Sequence, residues 1–176
     1  MAEIIKTYCE TIPALRFIGR RYTNADRQNG SFSHIWGQWF EAGWFEKLEK
    51  LNEAEGNEND YIGFMRYKQG EPNSFEYWIG LFAAPGTQAP EGFDFIDLAK
   101  GSLGVCWIKG KDDAALYSMH DECVKSFREN GLCALGGCGE WTCFFERYNC
   151  PRFTEPDENG DVILDYCAYL CEGAEE

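Results

Sequence analysis

The chain is poor in basic residues and histidine, and it holds no long apolar run. Lys and Arg number 16 against 30 Asp and Glu in 176 residues, so the formal net charge is −14. A protein that grips phosphates needs a basic face to neutralise them, which excludes direct nucleic-acid binding. The same deficit excludes an anionic membrane surface as partner. No segment approaches the ~20 apolar residues that span a bilayer. Glu3, Lys6 and Glu10 interrupt the N-terminal stretch, where a secretory signal would be apolar. A cytoplasmic protein is expected. Two histidines, His34 and His120, give little material for a Ser/His/Asp set. His34 is expected at a helix start and His120 on a helix face, neither as a ligand. The sequence has no phosphate-binding glycine loop, no metalloprotease motif and no C-x-x-C. No metal and no cofactor are expected.

Cysteine and aromatics are plentiful. The nine cysteines are odd in number, which does not suit a closed disulfide framework. Cys133, Cys138 and Cys143 are spaced by five, a weak zinc signal. Cys106, Cys143 and Cys167 sit in apolar segments and read as small hydrophobes. Phe, Tyr and Trp contribute 13, 9 and 6 residues. So aromatic a chain should fold despite its charge. Strong acidity with many rings has two readings: a solvated acidic surface around an aromatic core, or an aromatic pocket that prefers cations.

The periodicity predicts two main helices. Phe32, Ile35, Trp36, Trp39, Phe40, Trp44, Leu48 and Leu51 recur at helical spacing behind Ser31, a candidate N-cap. Gly37 and Gly43 weaken that helix, and the acidic run from Asn52 to Asp60 ends it. A second helix is expected from Asp112 to Asn130, with Leu116, Met119, Cys123 and Phe127 as its stripe. Asp112 and Asp113 would cap it and Asn130-Gly131 would stop it. Strands are expected at Ile4–Tyr8, Leu15–Tyr22, Tyr61–Lys68, Phe75–Ala83, Phe93–Leu98, Leu103–Lys109, Trp141–Asn149 and Val162–Leu170.

These elements follow one order twice. Ser31 and Asp112 are 81 residues apart, as are Met65-Arg66-Tyr67 and Glu146-Arg147-Tyr148; Tyr77 and Tyr166 are 89 apart. The sequence therefore reads as a duplicated β-β-α-β-β unit, with pseudo-repeats about 1–83 and 90–171 joined by the Pro- and Gly-rich linker Ala84–Gly92. Neither half looks able to bury a core alone, so one α+β domain spanning 1–176 is expected.

The repeat makes Glu146 conspicuous, because its counterpart is Met65. Strand alternation puts Phe144, Glu146 and Tyr148 on one face, and Cys143, Phe145 and Arg147 on the other. A carboxylate between two rings either faces water from an edge strand or lines an aromatic cleft. Burial without a partner would raise its pKa, and Arg152 is a candidate to reach back to it. In a cleft it would contact a cation, each ring adding about 0.5–2 kcal/mol. Candidate walls are Trp36, Trp39, Phe40, Tyr67, Trp78, Trp107, Tyr148 and Tyr166.

Three stretches carry a family resemblance. They are Ile12-Pro13-Ala14-Leu15-Arg16-Phe17-Ile18-Gly19; Pro90-Glu91-Gly92-Phe93-Asp94-Phe95-Ile96-Asp97-Leu98 leading into Gly104-Val105-Cys106-Trp107; and Phe145-Glu146-Arg147-Tyr148-Asn149-Cys150-Pro151-Arg152-Phe153, ending in Ile163–Leu170. In order and spacing the chain resembles the gyrase-inhibitor-like (GyrI-like) small-molecule-binding superfamily, which includes effector-binding domains of AraC-type and multidrug-sensing regulators. The resemblance implies fused β-α-β-β (SH2-like motif) units, an antiparallel sheet with two main helices, and a ligand cleft. It also implies a ligand-contacting glutamate, which Glu146 matches. Family regulators often add a helix-turn-helix, for which this chain has no room.

The expected function is a stand-alone binding protein for lipophilic, cationic, drug-like small molecules in transcription regulation. Two alternatives stay open. One is a hydrolase of strained-ring or ester compounds, with Glu146 as general base or acid and Tyr148 or Tyr67 as proton donor. The other is a protein partner that inhibits a DNA-acting enzyme such as gyrase through its acidic surface.

Overall fold

Segments rich in aromatic and β-branched residues pair edge to edge in the computed structural model, which describes residues 1–52, 60–132, 136–148 and 150–171. The strands are β1 (Glu3–Ile12), β2 (Leu15–Tyr22), β3 (Ile62–Lys68), β4 (Glu76–Ala83), β5 (Asp94–Leu98), β6 (Gly101–Gly110), β7 (Gly137–Cys138), β8 (Trp141–Arg147) and β9 (Val162–Tyr169). Eight of them form one antiparallel path in the order β1-β6-β9-β8-β3-β4-β2-β5, and the short β7 pairs with β8. The order is balanced about the β3–β8 seam, running 3-4-2-5 on one side and 8-9-6-1 on the other. The first strand of the chain therefore pairs with β6, and β5 with β2. Neither edge strand stays within its own half, so the halves depend on each other for their outer pairing.

The helices are α1 (Ser33–Glu41), α2 (Trp44–Glu49), α3 (His120–Glu129) and the short α4 (Pro151–Thr154). The single helix expected from Phe32 to Leu51 is two. The chain turns at Gly43, whose φ of 65° is left-handed and suits a residue without Cβ. The Ser31 hydroxyl accepts from the Ser33 N–H at 3.1 Å, while the boundary residue is Phe32. The second helix is shorter than expected. Asp113 Oδ1 accepts from the Ala115 N–H at 2.9 Å, ahead of a 3-10 turn at Leu116–Ser118, and does not cap the helix. The stop signal acts as predicted. Gly131 has φ 71°, Leu132 N–H donates to Phe127 C=O at 2.9 Å, and Gly131 N–H to Arg128 C=O at 3.0 Å. Most of the Asn52–Asp60 run, Cys133, Asn149 and the C-terminal acids lie outside the described residues, and so does the Cys138 side chain.

The sheet buries both faces. On one, Ile12, Phe17, Ile62, Phe64, Trp78, Ile96, Leu98, Leu103, Val105, Cys143, Phe145, Cys167 and Tyr169 draw on all eight long strands and no helix. Rings there meet across an intervening strand: Phe82 of β4 lies 5.2 Å from Phe145 of β8. The sheet thus coils and closes this face on itself. On the other face, α1 and α2 cover β2 and β4 through Ile35, Trp39, Phe45 and Leu48. There α3 covers β6 and β9 through Cys123 and Phe127. Each such ring contributes roughly 2–3 kcal/mol when fully buried. The central strands β3 and β8 run between the two helical layers, and Met65 packs against both clusters. Among the described residues, no helix is long and apolar enough to cross a membrane.

Candidate functional site

Alternation along β8 decides which side chains reach the space between the helices. Phe144 packs with the α3 cluster, whereas Cys143 and Phe145 belong to the coiled face. Glu146 shares the parity of Phe144 and enters from the floor. It lies opposite Gly63 of β3 and Tyr166 of β9, just as Met65 lies opposite Tyr77 of β4. Its residue surface is only 9% exposed.

Rings close over it. Tyr148 donates its hydroxyl to Glu146 Oε2. Trp36 of α1 stands 4.8 Å from the Tyr148 ring, edge to face, and its Nε1–H donates to Tyr77 Oη at 2.9 Å. Gly63 makes this convergence possible. A Cβ there would fall 2.9 Å from Tyr77 Oη, 3.3 Å from the Tyr148 ring and 3.5 Å from Trp36. Tyr117, just before α3, lies 6.4 Å from Tyr148. On the α3 side Tyr166 hydrogen-bonds His120 Nδ1, and His120 packs 4.8 Å from Phe144.

No cation among the described residues pairs with Glu146. Arg147 points through the sheet and holds Glu10 at 2.7 Å and Asp165 at 3.0 Å. Arg152 also goes to Asp165, so it does not reach back to Glu146. Burial therefore raises the Glu146 pKa to about 7, partly opposed by the Tyr148 hydrogen bond. Tyr77, Tyr148 and Tyr166 are likewise raised, first by burial and then by nearby charges, Glu146 among them. Burial lowers the His120 pKa, against the pull of Asp121 and Glu122. The site is one uncompensated carboxylate in a shell of phenols.

The candidates from sequence divide. Glu146, Tyr148, Trp36 and Tyr166 meet here. Tyr67 is one shell away, 6.2 Å from Phe144. Trp39 is wholly buried under α1 and donates to Tyr22 Oη at 2.9 Å, which makes it a core residue. Phe40 is 57% exposed at the outer edge of α1, beside Phe45 and Tyr61. Trp78 and Trp107 belong to the coiled face, because they alternate with Tyr77 and Cys106, which face the helices. Trp78 donates to Glu76 at 2.9 Å, and Trp107 lies under Lys6 and Arg152. Sequence reasoning missed Gly63, Tyr77 and Tyr117. The parity of β4 held the signal for Tyr77, once its register with β3 is known. Two surface indentations of about 430 Å³ lie elsewhere, at Thr11–Pro13 with Lys100 and Gly101, and between β1 and α3.

No protein-family model matches the chain, and no curated protein matches it in sequence. Solved structures do share its fold. SAV2435, solved with tetraphenylphosphonium bound, superposes with TM-score 0.68 at 16% identity, covering 96% of this chain and 95% of that one. A protein of Staphylococcus aureus MU50 assigned to bacterial transcription regulation gives TM-score 0.64 at 16% identity, with 94% and 97% covered. The C-terminal domain of EcmrR gives 0.56 at 10% identity, with 94% and 96% covered. These likenesses show a shared fold.

Proposed function

We propose that this chain is an effector-binding domain that takes a lipophilic cationic small molecule, with Glu146 as its anionic contact. The observation that carries the reading is a buried carboxylate with tyrosines around it and no cation paired to it among the described residues. A guest cation would supply the missing charge, and its apolar arms would meet rings that attract cations. In the closed arrangement Trp36 and Tyr148 occupy the space above Gly63, and a ligand would gain access by moving Trp36 off the Tyr148 ring. The tetraphenylphosphonium bound to a protein of the same fold supports this ligand class. The setting would be transcription regulation, as for the Staphylococcus aureus neighbour.

The duplication belongs to the same reading. A two-fold rotation carrying each residue to one 81 positions on would map the Ile62–Arg147 pair onto Cys143–Arg66, and Phe64–Phe145 onto itself. The Met65–Tyr77 pair then corresponds to Glu146–Tyr166, with the outer strand offset by 89 positions instead of 81. One half of the repeat thus keeps an apolar floor where the other carries the charge.

The test is calorimetric titration of tetraphenylphosphonium into the wild-type protein and Glu146→Gln. Removing the anionic contact should weaken binding about tenfold or more. Equal affinity for both proteins would remove Glu146 from the site.

One observation favours a second reading. A carboxyl group with pKa about 7 that is hydrogen-bonded to a tyrosine suits general acid–base chemistry. Hydrolysis would show as more than one product per protein from an ester or cyclopropane substrate. A single stoichiometric binding event would leave the first reading alone.

A further inference from the structure

The contact between Tyr148 and Glu146 has a counterpart nearer the surface. Tyr117 donates its hydroxyl to Asp112 Oδ1, and the Tyr117 ring lies 6.4 Å from that of Tyr148 at 41°. Tyr117 is 41% exposed, and Asp112 is exposed beside it. The bases at this end of β6 are engaged elsewhere. Lys109 holds Asp157 at 2.7 Å, while Lys111 holds Asp161 at 3.0 Å and the Asn159 carbonyl. Asp113 is committed to the Ala115 N–H. Among the described residues no cation pairs with Asp112. Two phenol–carboxylate pairs therefore stand one ring-to-ring step apart, one buried and one at the rim. A phenol that donates to a carboxylate is polarised by it, and its ring face becomes a better partner for a cation.

The geometry points to an outer cation subsite at Tyr117 and Asp112, in series with Glu146, that selects aromatic dications over monocations. This rests on the reading of Glu146 as the inner anionic contact. A rigid two-ring frame charged at both ends matches the step between the two tyrosines. The inner charge would be desolvated among the phenols, while the outer one would stay wet. The outer contact is then an exposed ion pair, worth a few-fold in affinity and weakened by salt.

Methyl viologen and N-methyl-4-phenylpyridinium share a two-ring frame and differ by one charge. Both are titrated calorimetrically into the whole protein at low and high salt, with tetraphenylphosphonium as reference. The wild type should bind viologen about fivefold tighter at low salt, with the gap closing as salt rises. Asp112→Asn should lower viologen affinity about fivefold, to the level of the monocation. Glu146→Gln should weaken both. Equal affinities in the wild type, or a preference that survives in Asp112→Asn, would overturn the outer subsite. Binding of tetraphenylphosphonium without either two-ring cation would also overturn it, leaving the inner reading intact. If none of the three binds, the inner reading falls and the outer subsite with it.

Discussion

Two buried carboxylates sit on opposite faces of neighbouring strands and are treated in opposite ways. Glu146 and Arg147 are consecutive in β8, and they face Tyr166 and Asp165 of β9. Asp165 is completely buried, yet it receives Arg147 at 3.0 Å and two bonds from Arg152, through Nε at 2.8 Å and Nη2 at 2.5 Å. Among the described residues, Glu146 receives one phenol and no cation. Burying an ionised carboxylate without a partner costs several kcal/mol, so the group is pushed toward its neutral form instead. A paired buried acid is part of the scaffold. An unpaired one, held among rings, is maintained at a cost to stability, which is the usual mark of a binding or catalytic group.

The largest effect should come from breaking the paired side. Asp165→Asn leaves two guanidinium groups short of their counter-charge, and only Arg147 retains Glu10. Urea unfolding should show a loss of about 3–5 kcal/mol.

The unpaired side should behave in the reverse sense and depend on pH. The Glu146 pKa rises from 4.5 to about 7 on folding, so between these values the folded state holds more protons than the unfolded one. Stability contributed by this group is then full below pH 4.5, falls as pH rises through that window and is flat above it. The penalty is on the order of 3 kcal/mol. Glu146→Gln should remove this slope and be relatively more stable at pH 8 than at pH 4. A parallel pair of stability–pH curves would show that Glu146 is not desolvated.

Gly63→Ala probes the ring closure without touching a charge. The added methyl forces Tyr77, Tyr148 or Trp36 to shift, at about 1–3 kcal/mol. Near-UV circular dichroism should change with it, because these packed rings contribute to that signal.

Tyr148→Phe is the smallest change. It removes one hydrogen bond, worth about 1 kcal/mol, and the one contact that lowers the Glu146 pKa. Carboxyl-carbon NMR should find Glu146 titrating higher than in the wild type. An unchanged or lower value would contradict the assigned bond.

Much of the strand pattern was legible because alternation is local. The expected Leu15–Tyr22 strand has the bounds of β2, and Glu146 was placed on the face with Phe144 and Tyr148. The helix patterns were legible as amphipathic stripes but not as lengths. A stripe continues through Gly43 and through Leu116–Ser118, while the backbone breaks at both. Trp78 and Trp107 were drawn to the site by their chemistry. Their parity sends them to the coiled face, and parity in one strand has meaning at a site only after its register with the next strand is known.

The amino-acid sequence by itself determined which side chains share a strand face, Glu146 with Phe144 and Tyr148 among them. It also determined an acidic chain in which few bases are at hand to neutralise a buried acid. Only the tertiary structure decided where those bases go. Arg147 and Arg152 converge on Asp165 because β8 pairs with β9 and α4 packs on β9. The shell of Trp36, Tyr77, Tyr117 and Tyr166 around Glu146 was decided at the same level. Such neighbours are set by strand register and helix packing over long chain separations, which local periodicity does not encode.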